Sequence, residues 1–277
     1  MALGDFRTSA ESLGRSQTSS NTYQPKLQLV TPNVAAGDYL VTVSFLYQTD
    51  SGGSNELQVE LVEDSTTQVY ESGELREANP GNAAGDSQEA CFFAVARTLA
   101  AGVHTFDLDF RRTGSVDLVT IEEVRIQFFQ LDASYQAAAV DGYSSTTSTS
   151  YVLKVSLNTG AVPAGTYRVG FHVEYNNEDP GNSDNMGLRF RERRDPAGAD
   201  TITNLLGANS GAGAELELNG GGFGVGASDP RQCAAWEEAC RELEADTYQY
   251  ELHYRAVGGF ADDVGVALAR LHFWRMS

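Results

Sequence analysis

The chain is poor in lysine, cysteine and histidine, and it has no long apolar run. Only two lysines occur, Lys26 and Lys154, so arginine carries nearly all of the positive charge. Three cysteines, Cys91, Cys233 and Cys240, are too few and odd in number for a disulfide framework. They read as buried or free thiols of a protein made in a reducing cytosol. Cys233 and Cys240 also lack the close Cys-x-x-Cys spacing of a zinc site. The four histidines, His104, His172, His253 and His272, show neither His-x-x-x-His nor Glu-x-x-His spacing. No 18-residue apolar stretch is present to cross a bilayer as a helix. Met1–Ser20 has no apolar segment of the kind a signal peptide needs. A Gly-x-Ser-x-Gly elbow is missing too. Gly220–Gly226 is glycine-rich but carries no Lys-Ser/Thr pair, so it reads as a hairpin or loop and not a phosphate cradle.

Acidic residues, in contrast, are plentiful: 38 Asp and Glu against 19 Lys and Arg, for a formal charge of −19. Both parts of the chain share the excess, with −11 over residues 1–140 and −8 over the rest. A field of that sign repels nucleic acid and anionic membranes, and neither is expected as a partner. It also keeps a protein soluble where many copies crowd together.

The chain repeats itself. Ala36–Tyr47 reads AGDYLVTVSFLY, and Ala164–Tyr175 reads AGTYRVGFHVEY, 128 residues later. His104–Arg111 matches Tyr248–Arg255 at an offset of 144, and Val119–Leu131 matches Val264–Met276 at 145. The order is kept, and an insertion in the middle of the second copy explains the growing offset. A period this long is a tandem domain duplication and not a solenoid, whose repeats are ~20–50 residues.

The repeated segments alternate with period two. Tyr167, Val169, Phe171, Val173 and Tyr175 face one way, and Arg168, Gly170, His172 and Glu174 face the other. The alternation predicts a buried face for the first set and a solvated face for His172. His253 and His272 fall on the solvated side of their own strands by the same logic. Further strands are expected at Leu27–Thr31, Glu56–Val62, Cys91–Thr98, Tyr151–Leu157, Gly187–Arg193 and Ala214–Leu218. Gln232–Ala245 has helical composition, although its start aligns with the strand at Cys91. The predicted fold is all-β: two tandem antiparallel β-sandwiches of jelly-roll type. The expected boundaries are an N-terminal arm at 1–21, copy one at 22–131, a linker at 132–141 and copy two at 142–277. The arm reads either as a disordered tail or as a segment that orders on a neighbouring subunit.

Candidate contact residues are few. Arg189, Arg191 and Arg193 form one face of a strand, suited either to solvent or to an acidic surface of a neighbour. Phe129 and Trp274 are aligned between the copies and lie off the core face, suited either to packing or to stacking on a sugar. Asn176–Asn185 is dense in oxygen donors, as calcium prefers, but it lacks the EF-hand pattern and is also ordinary turn composition. The pairs Asp107/Asp109 and Glu122/Glu123 show no sign of the shared cleft that glycosidase carboxylates need. No catalytic residue, metal or cofactor is assigned.

The second copy opens DGYSSTTSTSY at Asp141–Tyr151, continues PAGTYRVGF from Pro163, and ends ARLHFWR at Ala269–Arg275. This pattern resembles the β-sandwich modules of virion structural proteins of tailed bacteriophages. Ser16–Tyr23 is the corresponding, shorter lead-in of copy one. The resemblance implies a non-enzymatic decorating or appendage role, made in the host cytoplasm and assembled into the virion. Its implied partners are capsid or tail subunits and further copies of itself. The alternative is a pair of carbohydrate-binding modules that attach to host surface glycans.

Overall fold

The computed structural model of the chain describes residues 6–49, 55–72, 75, 89–114, 118–131, 134–177, 185–194, 201–205, 216–219, 233–257 and 264–276. Every regular element among them is a strand. The chain separates into two compact units, one mainly on Asp5–Leu131 and one mainly on Asp132–Pro230 with Trp236–Ser277.

The first unit contains β1 (Phe6–Ser12), β2 (Ser16–Thr18), β3 (Gln24–Val30), β4 (Gly37–Thr49), β5 (Asn55–Glu63), β6 (Thr67–Glu71), β7 (Glu89–Leu99), β8 (Thr105–Gly114) and β9 (Val119–Gln130). One sheet runs β1-β9-β4-β7, with β2 also on β9, and the other runs β3-β8-β5-β6. If β1 and β2 are taken as one interrupted strand, the order is first-eighth-third-sixth against second-seventh-fourth-fifth. That is a jelly roll, all antiparallel.

The second unit repeats the order. It contains β10 (Gln136–Thr146), β11 (Val152–Val162), β12 (Gly165–Asn177), β13 (Asn185–Arg194), β14 (Thr201–Asn204), β15 (Leu216–Asn219), β16 (Cys233–Leu243), β17 (Asp246–Val257) and β18 (Val264–Arg275). Its sheets are β10-β18-β12-β16 and β11-β17-β13-β14, with β15 also on β13.

The cores match residue for residue. Tyr39 stacks on Phe128 with ring centroids 4.8 Å apart, and Tyr167 stacks on Phe273 at 4.8 Å. Phe106 and Tyr250 lean on the same two phenylalanines from the opposite sheets. The Tyr39 hydroxyl donates to the Ala35 carbonyl, and Tyr167 donates to Pro163, each 2.8 Å and four residues back. Val43, Phe45, Phe171 and Val173 are all buried, as the alternation requires. Burying aromatics on two facing sheets is the main stabilising term for such a sandwich.

Four expectations are corrected. The segment read as an N-terminal arm is β1 and β2, paired along β9 from Phe6↔Phe129 to Thr18↔Val119. An edge strand is held by backbone bonds and needs little apolar pattern, so periodicity does not announce it. The same reason applies to the expected linker, part of which is the start of β10, paired with β18 from Gln136↔Phe273. Cys233–Leu243 is strand throughout and not helical, lying beside β12. The sheet position overrides the helix preference of its Ala, Glu and Leu residues. Finally, His172, His253 and His272 are buried, not solvated. Alternation fixes the side from which a residue leaves the strand, not whether that side is covered. The oxygen-rich loop lies largely outside the described residues, as does Gly220–Gly226.

The β5–β6 connection shows how local chemistry sets register. Asp64 and Ser65 both have positive φ, 50° and 59°, and the Thr66 amide donates to the Glu63 carbonyl. Two left-handed central residues define a type I′ turn, whose twist suits a hairpin.

Candidate functional site

Among the described residues, the most distinctive surface is the outer face of the β11-β17-β13-β14 sheet. Alternation on β13 sends Leu188 and Phe190 to the core and Arg189, Arg191 and Arg193 outward. Across the ladder, Arg189 pairs with His253, Arg191 with Glu251 and Arg193 with Gln249 on β17. The three arginines predicted to share a face do so, half-buried. Glu251 is the nearest counter-charge, 3.2 Å from Arg193 and 4.0 Å from Arg191. Arg189 instead lies over the Tyr151 ring, 3.8 Å from its centroid, and Arg255 approaches the same ring at 4.9 Å. Such cation–π contacts hold the guanidinium in place without neutralising it.

The electrostatics fit a surplus of positive charge. Burial lowers the Arg189 guanidinium, and the neighbouring Arg191 lowers it further. Burial pushes His253 down to about 4; Glu251 opposes this, and Arg189, Arg191 and Arg193 add to it. His253 is therefore neutral at pH 7.

Phe129 and Trp274, the aligned aromatics, are 7% and 2% exposed. Neither offers a flat ring to a sugar. Arg168 sits 5.7 Å from the centre of the Trp274 ring.

A polar cleft of about 230 Å³ lies at one end of the second unit, lined by Glu192, Arg194, Arg241 and Tyr248 among others. Glu192 leaves β13 on the core side and is clamped there. Arg241 donates to both of its oxygens, at 2.8 and 3.1 Å, and the Tyr250 hydroxyl donates at 3.0 Å. A carboxylate satisfied by three charge-assisted or hydroxyl donors is a structural anchor. Sequence spacing gave no sign of this cluster, because its members come from three strands.

Glu63, Asp64 and His104 bring three ligand-type atoms within 4.8 Å. Their bonds assign another role. The His104 ring faces Asp64 Oδ2 at 2.9 Å through Nδ1 and the Ala100 carbonyl at 3.1 Å through Nε2. Both partners are acceptors, so the ring serves both only as the imidazolium. Burial lowers the His104 pKa, but these two bonds together with the charges of Asp64 and Glu63 raise it by more. Glu63 is paired with Arg97 at 2.6 Å. The cluster is a clamp between the β5–β6 turn and the start of β8.

No family model matches the chain, and no curated protein matches it by sequence. Among solved structures, it is similar to the CBM22-1–CBM22-2 tandem domain of Paenibacillus barcinonensis Xyn10C. That likeness has 13% identity over 100% of this chain and 99% of the other, with a TM-score of 0.28. The Broad Bean Stain Virus structure matches at 9% identity, covering 94% and 92%, with a TM-score of 0.29. The infectious bursal disease virus VP2 subviral particle matches at 8% identity, covering 99% and 78%, also at 0.29. None of the three assigns a role to this chain.

Proposed function

We propose that this chain is a non-enzymatic structural component of a bacteriophage virion. It decorates or cements the capsid, or forms a head- or tail-attached appendage, through protein–protein contacts. It is made in the host cytoplasm and acts in the particle. The observation that supports this reading best is the character of the outer faces. Arg189, Arg191 and Arg193 stand together on one sheet face, whereas Phe129 and Trp274 are buried. Charged sheet faces on rigid jelly rolls suit contact with complementary protein surfaces, repeated over a symmetric shell so that weak contacts add. Glycan-binding modules instead stack sugars on exposed rings, and the aligned pair that was the candidate for this is covered.

The test is reconstitution. Purified chain is mixed with particles assembled without it, pelleted, and assayed separately on a panel of host-surface glycans. Retention on particles without glycan binding is the expected result. Glycan binding without particle retention would overturn the reading in favour of a carbohydrate-binding pair.

A further inference from the structure

The duplication has left the two units with opposite charge on the same face. β8 and β17 correspond at an offset of 144, so Asp109 and His253 are equivalent, as are Asp107 and Glu251. In the first unit the ladder partner of Asp109 is Glu60; in the second the partner of His253 is Arg189. A carboxylate pair in one copy thus stands where a histidine–arginine pair stands in the other. The surrounding scaffold is unchanged. Tyr23 and Tyr151 are equivalent, and Arg111 lies 4.5 Å from the Tyr23 ring as Arg255 lies 4.9 Å from Tyr151. Beyond the shared arginine, the first face carries Glu60, Glu71, Asp107 and Asp109, and the second carries Arg189, Arg191 and Arg193 around a single carboxylate of that ladder, Glu251.

Each face carries charges of its own sign at close quarters. Burial raises the Asp109 carboxyl, and Asp107 and Glu60 raise it further. Burial lowers Arg189, and Arg191 and Arg255 add to it against the opposing Tyr151 and Glu251. An opposite surface laid on either face relieves that repulsion. Both faces belong to paired strands in equivalent positions, so their spacing is set by the same 4.7–4.9 Å strand separation.

We propose that the basic face around Arg189 and Arg191 binds the acidic face around Glu60 and Asp109 of a second copy of this chain. The contact is heterologous: one patch meets a different patch. Such contacts propagate into rings, filaments or lattices, or close where two copies engage each other through both faces. This deepens the assembly reading by naming the partner, and it rests on that reading only for its biological setting.

Salt decides how the contact shows itself. A charge of −19 makes copies repel at a distance. At about 0.1 M ionic strength the Debye length is ~10 Å, so distant repulsion is screened while touching pairs persist. At about 1 M, where it is ~3 Å, the pairs weaken as well.

The experiment is sedimentation velocity on the full chain and two charge-reversed variants, R189E/R191E and E60R/D109R, each checked for strand content by circular dichroism. Wild type should self-associate near 0.1 M salt and dissociate near 1 M. Each variant alone should associate at least about tenfold more weakly, since its two faces then share one sign. Their equimolar mixture should recover association, because each variant then offers the other a face of opposite sign. If a reversed variant misfolds, R189Q/R191Q and E60Q/D109N replace them, each expected to weaken association. Wild type that stays monomeric at every salt concentration overturns the proposal. So does wild type whose association is untouched by every variant, or a mixture that fails to recover. Particle retention in the reconstitution assay would survive each of these failures, so the two readings fail separately.

Discussion

Lys26 and Lys154 do the same work in the two units. Each ammonium donates to a glycine carbonyl and a serine hydroxyl of the first strand: Gly14 and Ser16, and Gly142 and Ser144. Each therefore ties the second strand of its jelly roll, in one sheet, to the first strand, in the other. Gly142 has φ +120°, beside a register shift between Asp141 and Ser144, so the bulge that turns its carbonyl toward the lysine favours glycine. Burial lowers the pKa of both lysines, and a nearby carboxylate, Glu122 or Asp141, opposes this.

Replacing either lysine with methionine should destabilise its unit, by roughly 1–3 kcal/mol, because the carbonyl and hydroxyl lose their donor. Lys154→Met should cost more, since Lys154 also donates to the Val266 carbonyl at 2.8 Å. Arginine should not rescue either site, because its planar fork does not match acceptors gathered around one nitrogen, two at Lys26 and three at Lys154. Urea midpoints for the four variants measure this; an arginine variant as stable as wild type would contradict it.

Deleting residues 1–18 should unfold the edge of the first unit. The deletion removes β1 and β2, the Arg125–Glu11 pair at 2.6 Å, and both acceptors of Lys26. It also bares β9, which then offers an unpaired edge to other chains. Hydrogen exchange should accelerate in Val119–Gln130 and the protein should aggregate. Unchanged protection there would restore the reading of this segment as a dispensable arm.

The buried core aromatics should be the costliest side chains to lose. Phe171→Ala should cost roughly 3–5 kcal/mol through the cavity it leaves. Tyr39→Phe and Tyr167→Phe remove only a hydroxyl bond and should cost about 0.5–1.5 kcal/mol each. A Phe171→Ala loss below about 1 kcal/mol, by denaturant titration, would mean the strand phase is wrong.

Mild acid should weaken the second unit before the first. Burial pushes His172 down to about 3 and His272 to about 4, and Arg270 lowers both further. Above about pH 6.5 both rings are neutral whether the chain is folded or not, and they contribute nothing to the pH dependence. Below that, the unfolded chain takes up protons the folded one refuses. Stability then falls by about 1.4 kcal/mol per pH unit for each ring until its folded pKa is reached. His104 in the first unit runs the other way. Its raised pKa adds stability below the unfolded value, which is lost as pH rises through the folded one. Between pH 7 and 5, exchange should therefore quicken in β12 and β18 relative to β4 and β9; equal change in both pairs would contradict this.

Much of the fold was legible because the chain states it twice. The matched strands at Tyr39–Tyr47 and Tyr167–Tyr175 alternate cleanly, and their inward residues are the observed core. The edge strands were not legible from periodicity, since backbone pairing leaves little mark on side chains. One signal was present all the same. Lys26 and Lys154 lie 128 residues apart, as do Gly14 and Gly142 and Ser16 and Ser144. That spacing extends the repeat back through the supposed arm. The arginine face followed directly from alternation on β13. Its acidic counterpart did not, because Glu60 and Asp109 become neighbours only through the β5–β8 ladder. Burial of the histidines, Phe129 and Trp274 depends on what covers a face, which a strand's own pattern does not contain.

The most direct test of the structural role is mass spectrometry of gradient-purified phage particles from cells expressing the gene for this chain. The chain should appear in the particle fraction, in a fixed ratio to the capsid or tail subunits and in more than one copy per particle. Finding the chain only in the soluble fraction, with intact particles lacking it, would rule out the proposed structural role.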